Sequence, residues 1–132
     1  MPRRMSVAMT QQHVIDRTKT VTRRKGWWLD KHGRHLVKPG DHLILVDRVM
    51  GLKKGERATV LTEVEVVSTC REHLDNLTTF PSYGEEEVRR EGFPGMDPAE
   101  FIDRFFVKAQ GMQPSDLVTR IEWRYLDDEV GE

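Results

Sequence analysis

Leu43-Ile44-Leu45-Val46 is continuously apolar, and the turn residues Lys38-Pro39-Gly40-Asp41 stand just before it. A short apolar run bounded by turn chemistry predicts a strand covered on both faces or nearly so. Further on, Val60, Thr62, Val64 and Val66 alternate with Leu61, Glu63, Glu65 and Val67, the period-two pattern of a half-buried strand. The alternation returns near the end, where Thr119, Ile121, Trp123 and Tyr125 are separated by Arg120, Glu122 and Arg124. Trp123 is therefore expected to be structural. Ser6-Val7-Ala8-Met9 suits a short first strand.

Helical signals fall between these runs. Thr10 is a favourable N-cap for a turn or two carrying His13, Val14 and Arg17. Ser82 and Glu85 have capping-box spacing, which predicts a helix from Ser82 through Val88 to Glu91, closed by Gly92 in a left-handed conformation. Asp97-Pro98-Ala99-Glu100 is a stronger start, with Asp at the cap and Pro at the first helical position. Phe101, Ile102, Phe105, Phe106 and Ala109 then share a face, and helical spacing assigns that aromatic stripe to the core. Residues 25–38 read as a long loop holding Trp27 and Trp28. Strands outnumber helices, and the connections are too short for repeated parallel crossovers. The expectation is an α+β chain with a partly closed antiparallel sheet and flanking helices. A length of 132 residues suits one domain over 1–132.

Charge sharpens this picture. Charged residues make up 33% of the chain, above the usual ~25%. The net charge of -1 hides a basic span, because Arg17, Lys19, Arg23, Arg24, Lys25, Lys31, Arg34 and Lys38 face only Asp30 there. Such a span can collect phosphates or stand solvated with its counterions. Cys70 is the only cysteine, so no intrachain disulfide can form, and it reads as a small buried hydrophobe near a strand end. No apolar run is long enough to cross a bilayer, and no segment resembles a signal peptide, so a cytoplasmic protein without membrane contact is expected. His32 and His35 have a metal-ligand spacing, but without a third partner at diagnostic distance no metal is expected, and no cofactor either.

The chemistry is concentrated in Lys19-Thr20-Val21-Thr22-Arg23-Arg24, which sets an amine, two hydroxyls and two guanidiniums in six residues. A threonine hydroxyl needs a deprotonated base nearby to act as nucleophile, and burial among arginines prepares a lysine for that role. Arginines can hold an anionic or planar polar ligand. A regular strand would point Lys19 and Thr22 to opposite faces, so their cooperation requires irregular backbone around Thr20 to Thr22. Glu91 is the last residue of its helix, against the negative end of the macrodipole, where helix design would avoid a carboxylate. Trp27 or Trp28 could stack on a base.

Four segments, the Lys19 to Arg24 block, Pro39-Gly40-Asp41, Glu91-Gly92-Phe93 and Val118-Thr119-Arg120-Ile121-Glu122-Trp123, come in an order that resembles the ASCH domain family, relatives of the PUA RNA-binding fold. The resemblance implies a small PUA-like β-barrel with a cleft for RNA or a nucleoside. Some short family members hydrolyse the acetyl amide of 4-acetylcytidine, and their threonine, lysine and glutamate would be Thr22, Lys19 and Glu91 here, with Arg24 the matching arginine. Two expectations remain open. One is an amidohydrolase acting on an acylated pyrimidine nucleoside, with Thr20, Arg23, Arg24, Trp27 and Trp28 binding the substrate. The other is a non-catalytic module holding RNA in the same basic cleft. No obligate protein partner is evident for either.

Overall fold

The computed structural model describes residues 3–26, 28–48 and 53–126. Its elements follow the order β1 (Arg3–Ser6), α1 (Gln11–Ile15), β2 (Val21–Lys25), β3 (His42–Val46), β4 (Val60–His73), α2 (Asn76–Thr79), α3 (Pro81–Arg90), α4 (Pro98–Ile102) and β5 (Leu117–Tyr125). A π-helical segment, Asp103–Lys108, continues α4.

The strands form one five-stranded sheet in the order β1-β3-β4-β5-β2. Three of its pairings are antiparallel, while β1 and β3 run parallel. Parallel neighbours need a long crossover, and the chain between Ser6 and His42 supplies one that contains α1, β2 and the long loop. The sheet is therefore mixed, and it curls into a half-barrel. Its two outer strands are β1 and β2, and Arg24 on β2 reaches across the seam to donate from Nη2 to the Ser6 carbonyl of β1, at 2.8 Å.

Two apolar clusters fix this shape. Leu43, Leu45, Val64, Val66, Ile121, Trp123 and Tyr125 pack on one face of the sheet with Val14 of α1. Leu74, Leu77, Val88, Phe101, Ile102, Phe106 and Met112 tie the helices to Val118 near the start of β5. Because β-strand side chains alternate, Thr22 opposite Ile121 and Arg24 opposite Thr119 share the first face, while Arg23 opposite Arg120 points to the other, beneath α3.

Several local expectations shift. The first strand spans Arg3–Ser6, so of the expected Ser6 to Met9 strand only Ser6 lies in it, and Ala8 and Met9 form a turn. Strand β4 continues past Val67 to His73, so Cys70 lies within it and is exposed rather than buried. Helix α3 opens two residues earlier than a Ser82 cap predicts, with Phe80 at the cap, because Pro81 takes the first helical position where its missing N–H costs nothing. Gly84 lets α3 approach α2: a Cβ there would stand 1.8 Å from the Leu77 carbonyl oxygen. Gly84→Ala is expected to lose about 1–3 kcal/mol despite alanine's better helix propensity. A thermal midpoint equal to wild type would show that the two helices separate at no cost.

Candidate functional site

Helix α1 ends in a turn at Arg17, whose backbone is left-handed (φ 64°) and whose guanidinium donates to the carbonyls of Val14 and Ile15 while lying 4.8 Å from the centre of the Tyr125 ring. Arg17 thus closes the helix. The irregular stretch that follows carries Lys19, and β2 begins only at Val21, so the break in regularity falls just before the strand rather than within it. From β5, Trp123 Nε1 (3.1 Å) and the Tyr125 hydroxyl both donate to the Lys19 carbonyl. The structural tryptophan of the final strand therefore also fixes the backbone of the lysine.

Glu91 arrives from the far end of α3, where it caps the helix. Gly92 after it has φ 112°, and a Cβ there would lie 2.7 Å from the His13 ring, so only glycine lets the helix end press against α1. This approach brings the Lys19 Nζ to within 2.7 Å of Glu91 Oε1 and 3.1 Å of the Glu91 carbonyl, donating to both. Arg23 Nη1 donates to Glu91 Oε2 at 2.9 Å. Lys19, Thr22, Arg23, Glu87 and Glu91 are all buried, which is unusual company for an apolar interior.

All of these but Glu87 lie on the polar wall of a cavity of about 310 Å³ at the seam of the half-barrel. Lys19, Thr22, Arg23, Arg24 and Glu91 line that wall, with Ser6 and Thr10 alongside. The opposite wall is apolar: Val7, Phe93, Phe101, Phe105 and Phe106. The aromatic stripe read as core is therefore core on one side and cavity wall on the other. Its rings brace one another and Phe93, with Phe101 and Phe106 at 5.6 Å and Phe105 and Phe93 at 4.7 Å between centroids. The π-helical segment that carries Phe105 and Phe106 has the wider turn often found at functional sites, and helical periodicity alone does not foretell it.

Three further expectations were attached to this site. Thr20 does not line the cavity: its N–H donates to Arg90 O, and its hydroxyl accepts from Arg90 Nε at 3.2 Å. Trp28 does not line it either, since it packs against the sheet core while its main-chain N–H donates to the Thr119 hydroxyl. Trp27 lies outside the described residues. Among the described residues no three His, Cys, Asp or Glu side chains are grouped to hold a metal ion.

Electrostatics follow from burial. Desolvation pushes the Lys19 amine below the ordinary lysine value; Glu91 opposes the shift, and Arg24 and Arg23 add to it. Desolvation would also lower Arg23, but Glu91, Glu72 and Glu87 outweigh it and raise that guanidinium. Behind Glu91 the charges continue: Arg23 Nη2 donates to Glu87 Oε1 (2.5 Å), and Arg120 Nε donates to the same oxygen. Burial and a hydrogen bond to Glu72 push the neighbouring Tyr83 phenol up to about 12. The spacing of Glu87 from Glu91, one helical turn, was a signal for this arrangement, but an acidic run of three glutamates reads as a solvated face.

Burial acts to raise the Glu87 carboxyl, yet Arg120 and Arg23 together bring it below its ordinary value of 4.5. A depressed folded value contributes stability that is present above the unfolded value and lost as pH falls through the folded one. Thermal midpoints are expected to decline as pH drops below about 4.5, and Glu87→Gln is expected to flatten that decline. Equal slopes for the two proteins would assign the acid sensitivity to other carboxylates.

No protein-family profile matches the sequence, and no curated protein matches it. The fold is nonetheless similar to that of a solved ASCH domain. A crystal structure of an ASCH domain from Lactobacillus crispatus superposes with a TM-score of 0.56 at 10% identity, covering 89% of this chain and 70% of that one. A crystal structure of a DUF984 protein from Enterococcus faecalis superposes with a TM-score of 0.62 at 14% identity, covering 96% of this chain and 80% of that one. No helix among the described residues is long and apolar enough to cross a membrane.

Proposed function

We propose that this protein hydrolyses an amide on an acylated pyrimidine nucleoside such as 4-acetylcytidine, with Thr22 as nucleophile, Lys19 as base and Glu91 as the acid–base partner of the lysine. The observation that carries the reading is the convergence of an amine and an alcohol from one short segment with a carboxylate 72 residues from the amine, on the wall of one small cavity. A lysine acts as a base only when neutral, and the burial of Lys19 favours that form. In the first step Thr22 Oγ1 attacks the amide carbonyl and its proton passes to Lys19 Nζ. Glu91 then stabilises the ammonium so formed, and Arg24 lies on the wall where the carbonyl oxygen gathers charge. Collapse of the tetrahedral intermediate breaks the C–N bond, returns the proton to the leaving 4-amino group and leaves an ester on Thr22. A water molecule deprotonated by Lys19 hydrolyses that ester, releasing the carboxylic acid and restoring the threonine.

A cavity of this size suits a single nucleoside, and its apolar wall gives the uncharged part of the ligand a surface. A non-catalytic RNA-binding role draws support from a different place. The loop closed by the Leu29–His35 bridge exposes Lys31, His32, Arg34 and His35. The Glu91 carboxylate in the cavity would oppose RNA phosphates there.

The test is incubation of the wild-type protein with 4-acetylcytidine, following cytidine release across pH. Turnover is expected to rise with pH to a midpoint below the ordinary lysine value of 10.5. Absence of release at every pH, together with salt-dependent retention of single-stranded RNA, would replace hydrolysis with the binding role.

A further inference from the structure

An arginine beside a carboxylate ordinarily closes on both its oxygens through two parallel N–H donors. Arg23 does not do this with Glu91. It offers Nη1 to Glu91 Oε2 and turns Nη2 away toward Glu87 Oε1 at 2.5 Å, with the Tyr83 hydroxyl at 3.3 Å and Glu72 Oε2 at 3.4 Å. Its Nε is buried and has no hydrogen-bond partner. Glu91 Oε1 is thereby left to Lys19. The residue that makes the difference is Glu87, one turn before Glu91 on α3 and itself gripped by Arg120, whose Nε and Nη2 reach Oε1 and Oε2 at 2.5 and 3.1 Å.

We propose that Glu87 is a positioning residue for the Lys19–Glu91 pair: by holding the far arm of Arg23 it keeps the guanidinium from closing on both oxygens of Glu91 and preserves the contact between carboxylate and lysine. The inference rests on Lys19 as the base of the proposed reaction, but the contact itself can be tested without any turnover.

The charged and titratable groups around Lys19 are Glu91 from the end of α3, Arg23 and Arg24 from β2, and the Tyr125 hydroxyl of β5, which donates to the lysine's own carbonyl; His13 of α1 meets it through the main chain. Without the Glu87 charge, Nη2 of Arg23 keeps only its two longer contacts and can swing to Glu91 Oε1, displacing the lysine. Arg23 also loses an anion that balances it. Both effects disfavour the Lys19 ammonium. Removing Arg120 acts in the opposite sense, because Glu87 is then free to bind Arg23 alone and one positive charge is gone.

Side-chain NMR of carbon-13-labelled lysine, with the Lys19 signal assigned from Lys19→Arg, reads the titration directly. Glu87→Gln is expected to move the Lys19 midpoint down by about one pH unit, Arg120→Gln to move it up, and Glu87→Asp to recover most of the wild-type value. If Glu87→Gln does not fold, the upward movement in Arg120→Gln decides. An unmoved midpoint in the folded variants, accompanied by lower thermal stability, would reduce Glu87 to a structural ion-pair partner and overturn the proposal. Where the wild type releases cytidine, the acid limb of kcat/KM is expected to follow the NMR midpoint. A wild type without turnover would remove the hydrolytic reading and leave the positioning role to be settled by the NMR shifts.

Discussion

Thr22→Ala is expected to lower the turnover of 4-acetylcytidine by about a thousandfold or more, while the protein remains folded. The substitution removes only the hydroxyl and methyl of a residue whose place is set by main-chain pairing with Ile121, so β2 keeps its register and the cavity widens only at that point. Lys19, Glu91 and Arg24 stay where they are, and whatever catalysis survives measures binding and electrostatic stabilisation without covalent chemistry. Thr22→Ser keeps the hydroxyl and is expected to retain most of the activity. Cytidine release by chromatography and an unchanged thermal midpoint check both halves of the statement. Alanine turning over at the wild-type rate would reject Thr22 as the nucleophile whatever the rest of the site does.

Arg23→Met is expected to cost about 3–5 kcal/mol of folding stability, a drop of roughly 10 °C or more in the thermal midpoint. The Arg23 side chain is 0% exposed and touches Glu72, Glu87 and Glu91, whose side chains are 8%, 4% and 4% exposed. Removing the cation takes the shared partner from three carboxylates in a region poor in water, leaving Lys19 to hold Glu91, and Arg120 and Arg90 to hold Glu87. Methionine fills much of the volume, so the loss reports uncompensated charge rather than a cavity. Lysine is a poor substitute, because a point charge cannot span carboxylates on both sides as the planar fork does. By contrast Arg89→Met breaks only an exposed pair with Glu86, and a small change is expected. Urea unfolding of the three proteins decides, and equal midpoints for Arg23→Met and Arg89→Met would mean that water reaches the cluster.

Much of the fold was legible because periodicity and turn chemistry are local. Strand β3 follows from an apolar run behind Pro39-Gly40, β5 from strict alternation, and α4 from Asp97-Pro98. The parallel pairing of β1 with β3 was not legible, since nothing in Arg3 to Ser6 records which neighbour it will take. The reach of β4 to His73 was hidden by its Ser68 to Arg71 stretch, which carries no alternating apolar pattern. Cys70 was placed inside on composition, whereas the strand turns it outward.

The residue types of the candidate site belong to the sequence: Lys19, Thr22, Arg23, Arg24 and a glutamate at a helix end are chemically distinctive wherever they fold, because charge and nucleophilicity are properties of the side chain. Their meeting is not. Lys19 and Glu91 are 72 residues apart in the chain, and they touch because Gly92 lets α3 end against α1 and because Trp123 and Tyr125 anchor the lysine's carbonyl. The phenylalanine wall and the Glu87–Arg120 support behind Arg23 are likewise products of packing, in which a helical stripe acquires a second neighbour and an acidic run acquires buried cations. Local pattern reports what each segment prefers; burial, distance and the balance of charge exist only once distant segments share a surface.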